Sequence, residues 1–579
     1  MRLILFLILV SLSQALGATW YVDPTGSDTT GTGAIGAPYR QITKALDVVQ
    51  AGDTIQVAAG SYSGANETKR NGTALSPITI QGAGYTTITR TWNFFHDYYI
   101  VKDIHTDGGW FFYVDSNNCT VEDSRSDLNL TTLGGNIWME PLRPSHARCH
   151  SHTIRNCQIL NAKTDAKQCV QLNGTGHIIE GCYFSKIDNR PDLFWIWGYD
   201  HIIRNNVIED WDQVPYDAAI HMDIFQTFSS NGDVSKNILV EGNFVNGGLN
   251  TQLGNIEDQA RNESVSDWTF RNNVFANFPN GQIMIYAPRF KWYNNTFYKC
   301  ATQSGKYALP SFRSSLDRGS AHGAVLRGNI WYLCGQDTTV NYHGFYDLIE
   351  ESGIQLTGVE IDYNLVLGTG SGRVKTGKWT SYNGVAKNTN SLNGVDPLFV
   401  NPINATTIEE LRLLPASPAI GAGQVLNGLF TTDYFSAVRG AAWDIGAIEY
   451  DVGSIPGDTT PPTLSTATID QTGLQLTLSF DENVFSVDAA HYAIAGKTLG
   501  TASVNGSVVT FSITPAMQEG QSVLLNYTSG SGRTADSAGN LLATISNFAV
   551  TNNSLEPTPS PPRPGWKGRS GSGTGARRR

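Results

Sequence analysis

His221 and Asp223 stand two residues apart in AAIHMDIFQ, so on a β-strand both face one side while Ile220, Met222 and Ile224 face the other. An imidazole beside a carboxylate on one strand face makes an acid–base or metal-binding pair; hydrogen bonding within the fold is the structural account of the same residues. Gln226 follows just beyond. In QCVQLNG, Gln171 and Asn173 point out when Val170 and Leu172 point in, and in DLFWIWG, Trp195 and Trp197 point out when Phe194 and Ile196 point in. Amide, indole, imidazole and carboxylate side by side suit a sugar chain, whose C–H faces stack on indole while its hydroxyls bond to amides and acids. The plain alternative for Trp195 and Trp197 is cover by connecting loops. Farther along, NTQLGNIEDQAR at 250–261 breaks the apolar strand pattern with Glu257, Asp258 and Arg261, and Arg289, Arg313 and Arg318 follow. These cations suit an anionic polysaccharide or serve as ordinary loop charges.

Positioning such strands requires a scaffold, and its signature runs through 98–364 as YIVKDI, CTVEDS, HTIRNC, HIIEGC, HIIRNN, ILVEGN, WTFRNN, KWYNN, AVLRGN and VEIDYN. Copies lie roughly 20 to 37 residues apart, each a strand that cannot bury its own apolar face, which is the mark of a solenoid. Aligned, one column reads Lys102, Glu122, Arg155, Glu180, Arg204, Glu241, Arg271, Tyr293, Arg327 and Asp362. Its alternating sign suits strands stacked about 4.8 Å apart, so Arg155, Arg204, Arg271 and Arg327 read as an ion-pair ladder rather than as site residues. A second column passes from Ile104, Ser124, Cys157 and Cys182 into Asn206, Asn243, Asn273, Asn295, Asn329 and Asn364, an expected asparagine ladder. His152, His177 and His201 share a column with Ile238, Trp268 and Phe290 and read as structural. The expectation is an all-β chain whose main body is a parallel β-helix.

The 579 residues allow two or more domains, and a net charge of -11 argues against a nucleic-acid binder, although a groove can be locally basic. Residues 1–17, with Arg2, an apolar run and Ala15-Leu16-Gly17, read as a signal peptide, which places the protein outside the cell. No later stretch is long and apolar enough to span a bilayer. Stacking of Cys157 on Cys182 and of Cys300 on Cys334 brings thiols together; parallel in-register side chains seldom offer a disulfide dihedral, so thiol stacking is preferred to a bond.

Residues 18–75 read as an N-terminal cap with a short helix over Ile42 to Val49 covering the open end of the solenoid at 76–451. TGSD, PYRQI and AGDTIQVAAGSY, within 21–62, resemble the caps of secreted right-handed parallel β-helix proteins of the pectate-lyase-like class. GVDPLFVNP, LRLLPASPAIGAG and WDIGAIEY resemble the closing segment of such proteins. A Gly/Pro/Thr linker at 452–462 leads to 463–553, whose short alternating runs predict a small β-sandwich, and whose DTTPP entry and FDENV segment resemble bacterial immunoglobulin-like repeats. The Pro/Ser/Gly-rich basic tail at 554–579 has the composition of a disordered segment.

The β-helix resemblance implies β-elimination on a uronate-containing polysaccharide. A lyase neutralises the uronate carboxylate, with Ca²⁺ or with Arg, Lys or Gln, and places a base near the C5 proton. His221 is then the candidate base or acid, Asp223 orients it or binds metal, and Gln171, Trp195, Trp197, Gln226, Glu257, Arg261 and Arg313 are candidate substrate ligands. Neither a WIDH segment nor the NTD, DD and GHG set occurs, which argues against those pectate lyase and polygalacturonase subfamilies. Hydrolysis, C5 epimerisation and noncatalytic glycan binding at a cell surface are the competing readings.

Overall fold

A computed structural model describes residues 17–555, apart from 129–134, 140–148, 162–167, 186, 189–191, 213–221, 230–232, 249–250, 303–308, 336–344, 369–378, 401–404, 415–416, 452–459, 483, 485–486, 488, 501, 506, 530–533 and 535–541. Most of residues 1–17, of the expected linker at 452–462 and of the tail at 554–579 therefore lies outside the described residues. The chain divides into two compact units, Met1–Tyr450 and Asp451–Arg579.

The first unit is a parallel β-helix. One turn shows the plan: Thr120–Glu122 belongs to a first sheet, Arg125–Asp127 to a second and Ile137–Met139 to a third, and Thr153–Arg155 returns to the first, one rung on. The first and second sheets hold 13 strands each and the third holds 12. Only two residues separate the first sheet from the second. The leading one is left-handed at every copy of the motif, Asp103, Asp123, Asn156, Gly181, Asn205, Gly242, Asn272, Asn294, Gly328 and Tyr363, with φ between 49 and 73°. Asn, Asp and Gly tolerate that conformation best, and this is why the sequence repeats there.

The next position carries the ladder. Asn206 Nδ2 donates to Asn243 Oδ1 at 2.9 Å, and the chain continues through Asn273, Asn295, Asn329 and Asn364 to Asn388 at 2.9–3.2 Å. Each Oδ1 from Asn206 to Asn364 also accepts a backbone N–H from the rung before, as Asn273 Oδ1 does from Asn243 at 3.0 Å, whereas the Asn364 amide donates to Ser391 Oγ. Asn388 has no copy of the motif around it, so the alignment missed this last member. Two earlier rungs carry the buried thiols of Cys157 and Cys182 at the same position, and all seven cysteines are free. Burial pushes the Cys157 and Cys300 thiols well above their usual range, which keeps them protonated.

Inside, side chains stack rung on rung: Phe94 on Phe112 at 4.5 Å, Phe270 on Trp292 at 4.0 Å and Phe297 on Trp331 at 5.2 Å. The helix Ile42–Val48 closes one end, burying Ile42, Ala45 and Leu46. Asp53 of the AGDTI motif explains its own place, because its carboxylate accepts from Ala18 N, Trp20 Nε1 and Gln50 N at 2.7–2.9 Å and ties the first strand to the cap.

The second unit is a small β-sandwich, six strands in one sheet and three in the other, around Ile469, Leu478, Val509, Phe511, Leu525 and Tyr527. Its pairs are antiparallel except for Leu464–Ile469 with Thr551–Asn552. No helix among the described residues is long and apolar enough to cross a membrane.

Candidate functional site

Large parts of two of the three outer faces are accounted for by the fold. On the first sheet the charged column pairs as its signs require: Arg155 with Glu122, Arg204 with Glu180 at 2.6 Å, and Arg271 with Glu241 at 2.6 Å. Arg327 departs, pairing with Glu360 at 2.6 Å rather than with Asp362. On the second sheet the later rungs are covered by the closing segment, where Phe399, Leu411, Leu413, Ile445 and Ile448 pack on Phe244, Tyr298, Ile330, Tyr332 and Leu365. Arg439 pins that segment. Its guanidinium is fully buried, pairs with Glu449 and donates to Asn272 Oδ1 at 2.8 Å and to the Gly446 carbonyl at 3.0 Å.

The histidine column is likewise structural. His152, His177 and His201 stack at 5.3 and 4.9 Å with nearly parallel rings. His177 Nδ1 accepts the His152 amide and its Nε2 donates to the Asn173 carbonyl at 2.9 Å; His201 repeats this with the His177 amide and the Trp197 carbonyl at 2.7 Å. Burial pushes His152 down to about 3, His201 down to about 4 and His177 well below the usual imidazole value, so all three are neutral.

The third sheet differs. Its outward column reads Glu67, Asn93, Phe111, Trp138, Gln171, Trp195, Gln226, Asn255 and Met284 from rung to rung, mostly aromatic and amide side chains rather than paired charges. Around its middle the polar groups converge. Trp195 Nε1 donates to Asp192 Oδ2 at 2.5 Å, and the Asp223 amide donates to Asp192 Oδ1 at 2.7 Å. With its amide turned to satisfy both ends, Gln226 donates to Asp223 Oδ2 at 2.9 Å and to the Asn255 carbonyl at 3.3 Å. Gln168 Nε2 donates to Gln171 Oε1 at 2.8 Å. Gln171, Asp223, Gln226 and Trp195 therefore do come together, with Asp192 as a fifth member that sequence reasoning passed over. His221 lies outside the described residues.

One register irregularity explains part of the difference from expectation. Ile224 and Phe225 are both fully buried, and Phe225, not Ile224, pairs with Phe194. Strict alternation fails there, which brings Gln226 into line with Trp195, and Asp223, expected to face outward, is fully buried. Trp197 also departs: it is 2% exposed, sits edge-on to Trp195 and Phe228 at 5.4 and 5.6 Å, and donates its N–H to the Phe228 carbonyl at 3.1 Å. The alternating pattern gave its direction correctly, but the neighbouring rings close over it, so it supports Trp195 rather than offering an open face.

Two residues along the strands, Glu257 and Tyr286 stand on successive rungs, and Arg313 belongs to the next strand. Arg313, 5% exposed, donates to Tyr286 Oη at 3.1 Å and to Glu351 at 3.0 Å, and Tyr286 donates to Glu351 at 2.9 Å. Burial raises the Tyr286 phenol and keeps it neutral. Glu257 accepts from Gln259 at 2.5 Å and Asn255 at 3.2 Å and faces Arg318 at 3.5 Å. Arg261 reaches the Leu316 carbonyl instead, at 2.5 Å, and Arg289 is held by Asp267 and Glu263 at 2.8 Å. Tyr286 and Glu351 were not visible as partners in the sequence, because 65 residues separate them.

Comparison with known proteins adds a family and a set of distant likenesses. Residues 24–72 match the model of a protein family of unknown function, DUF1565. That match covers the cap alone. No curated protein matches the chain. Among solved structures, pectate lyase Pel9A is similar at 13% identity and TM-score 0.40, over 76% of this chain and 97% of its own. A PL6 family alginate lyase, AlyGC, is similar at 13% identity and TM-score 0.42, over 78% of this chain and 62% of its own. XylC in complex with xylose stands at 12% identity and TM-score 0.39, over 74% and 98%. The fold assignment rests on the strand pairing above.

Ca²⁺ takes six to eight oxygens. Both Asp192 oxygens and Asp223 Oδ2 already accept hydrogen bonds, and no group of three or more His, Cys, Asp or Glu converges as a metal site among the described residues. What the arrangement offers is a carboxylate pair on adjacent rungs, amide donors and acceptors beside it, and a half-buried indole.

Proposed function

We propose that this is an exported protein that acts on a uronate-containing polysaccharide along the outer face of the third sheet, by β-elimination. One observation carries the reading: of the three outer faces, this one gathers indole, amide and carboxylate groups around Trp195 in place of a ladder of paired charges. In this reading Trp195 takes a sugar ring, Gln171 and Gln226 take hydroxyls, and Asp223 orients His221, two residues before it, as the base at C5. Arg313 lies three rungs beyond Gln226, roughly 14 Å along the axis, so with Glu257 it serves a sugar farther along the chain. Export rests on the pattern of residues 1–17, and attachment to a surface would fall to the immunoglobulin-like second unit.

The Asp192 and Asp223 carboxylates, joined through the Asp223 amide, favour hydrolysis as the second reading, since hydrolases flank the scissile bond with two carboxyl groups. Incubation with a panel of uronate polymers separates the two. Elimination leaves an unsaturated product that absorbs in the far ultraviolet, whereas hydrolysis yields new reducing ends without that absorbance. Polymer retention with neither signal supports noncatalytic glycan binding and counts against both enzymatic readings.

A further inference from the structure

Upstream of Gln171 the outer face of the third sheet turns aromatic. Phe95 is 41% exposed and stacks on Tyr113 at 4.3 Å and 24°. Phe111 and the half-buried Trp138 meet edge to face at 5.8 Å on adjacent rungs. The core of these rungs is already filled by Trp92, Phe94, Trp110 and Phe112, all fully buried, so the outer rings are additional to it. The column of Phe111 and Trp138 runs on in register through Gln171 to Trp195, four rungs or roughly 19 Å from the Phe95 rung.

Among the described residues near these rings, Lys69, Arg90 and Arg70 are already engaged. Lys69 pairs with Glu67 at 3.0 Å, Arg90 with Asp107, and Arg70 donates to the carbonyls of Asp47 and Val49. Among the described residues the strip therefore presents ring faces and edges rather than a cationic surface. Flat rings spaced along one axis and continuous with a sugar-suited site match the apolar C–H faces of consecutive pyranoses.

We propose that Phe95, Tyr113, Phe111 and Trp138 form a binding tract for a pyranose chain, contacting ring faces without regard to carboxylates and delivering the chain to the Trp195 site. The inference rests on the polysaccharide reading above. Its test is calorimetric, on the full chain, with two probes: a hexasaccharide of a uronate and a hexasaccharide of an uncharged β-linked hexose. Phe95→Ala combined with Trp138→Ala should weaken both by roughly tenfold. The lost part should persist from low to high NaCl, because stacking is not screened. Unchanged affinity in a double variant with a wild-type unfolding midpoint overturns the tract. So does a loss confined to the uronate and removed by salt, or a wild-type dimer that the double variant converts to monomer, which would give the strip to a second copy. A tract that binds while no polymer is cleaved would sink the lyase reading and leave this one standing; cleavage with no effect of the double variant does the reverse.

Discussion

Mild acid should destabilise this protein through three histidines that carry no proton in the native state. His152, His177 and His201 are neutral and fully buried, each Nδ1 occupied by a backbone amide, with His152 held down to about 3 and His201 to about 4. In the unfolded chain an imidazole takes its proton near pH 6.5. Between pH 6.5 and 4 the unfolded state therefore binds more protons, so stability falls as pH falls, by about 1.4 kcal/mol per pH unit for each histidine. The three together approach about 4 kcal/mol per unit below pH 6, a large share of what a folded unit commonly has. The buried carboxyls Asp433, Asp444 and Glu449, raised chiefly by burial, act in the opposite direction, so a difference between variants is the clean readout. His201→Phe suits the column, which holds Trp268 stacked on Phe290 at 5.6 Å two and three rungs on. Denaturant unfolding followed by fluorescence from pH 7 to 4.5 should show the variant less stable at pH 7 but with a slope smaller by about 1.4 kcal/mol per unit. Identical slopes would refute a neutral, buried His201.

Asn273→Ala removes a side chain that makes four hydrogen bonds within the ladder and should cost at least about 3 kcal/mol by the same unfolding measurement. Arg204→Ala on the exposed charge ladder should cost about 1 kcal/mol or less, and a larger loss there would show that this face carries more than solvated ion pairs. Reductant should leave the melting temperature and the free-thiol count of the denatured chain unchanged, because all seven cysteines are thiols; a reductant-dependent shift would reveal a bridge between Cys157 and Cys182 or between Cys300 and Cys334.

The scaffold was legible because its constraint is local. A two-residue turn with a left-handed first position admits few residue types, and the side chain after it must bond to its own copies, so Asn and Gly recur at readable intervals. The columns then separated Arg155, Arg204 and Arg271 and the three histidines from the candidates, and the pairing found for them is the one their register demands. The candidate face resisted because no ladder of one residue type runs along it. Strict alternation oriented Gln171 and Trp195 but broke at Ile224 and Phe225, where two successive residues are buried. Neighbouring rings closed over Trp197, and Asp192 and Glu351 entered through contacts between rungs that no local pattern encodes. Arg439, which fastens the closing segment, was hidden for the same reason, since its partner Asn272 is 167 residues away.

The central claim is that the third-sheet face works on an acidic polysaccharide while the first-sheet face only holds the fold together. The most direct measurement compares far-ultraviolet product absorbance on the uronate polymer panel for the wild type, Asp223→Asn and Arg204→Ala, each checked for native unfolding behaviour. The account predicts a rising absorbance in the wild type and in Arg204→Ala, and its loss in a folded Asp223→Asn. Absorbance undiminished in Asp223→Asn, or lost in a folded Arg204→Ala, would contradict it.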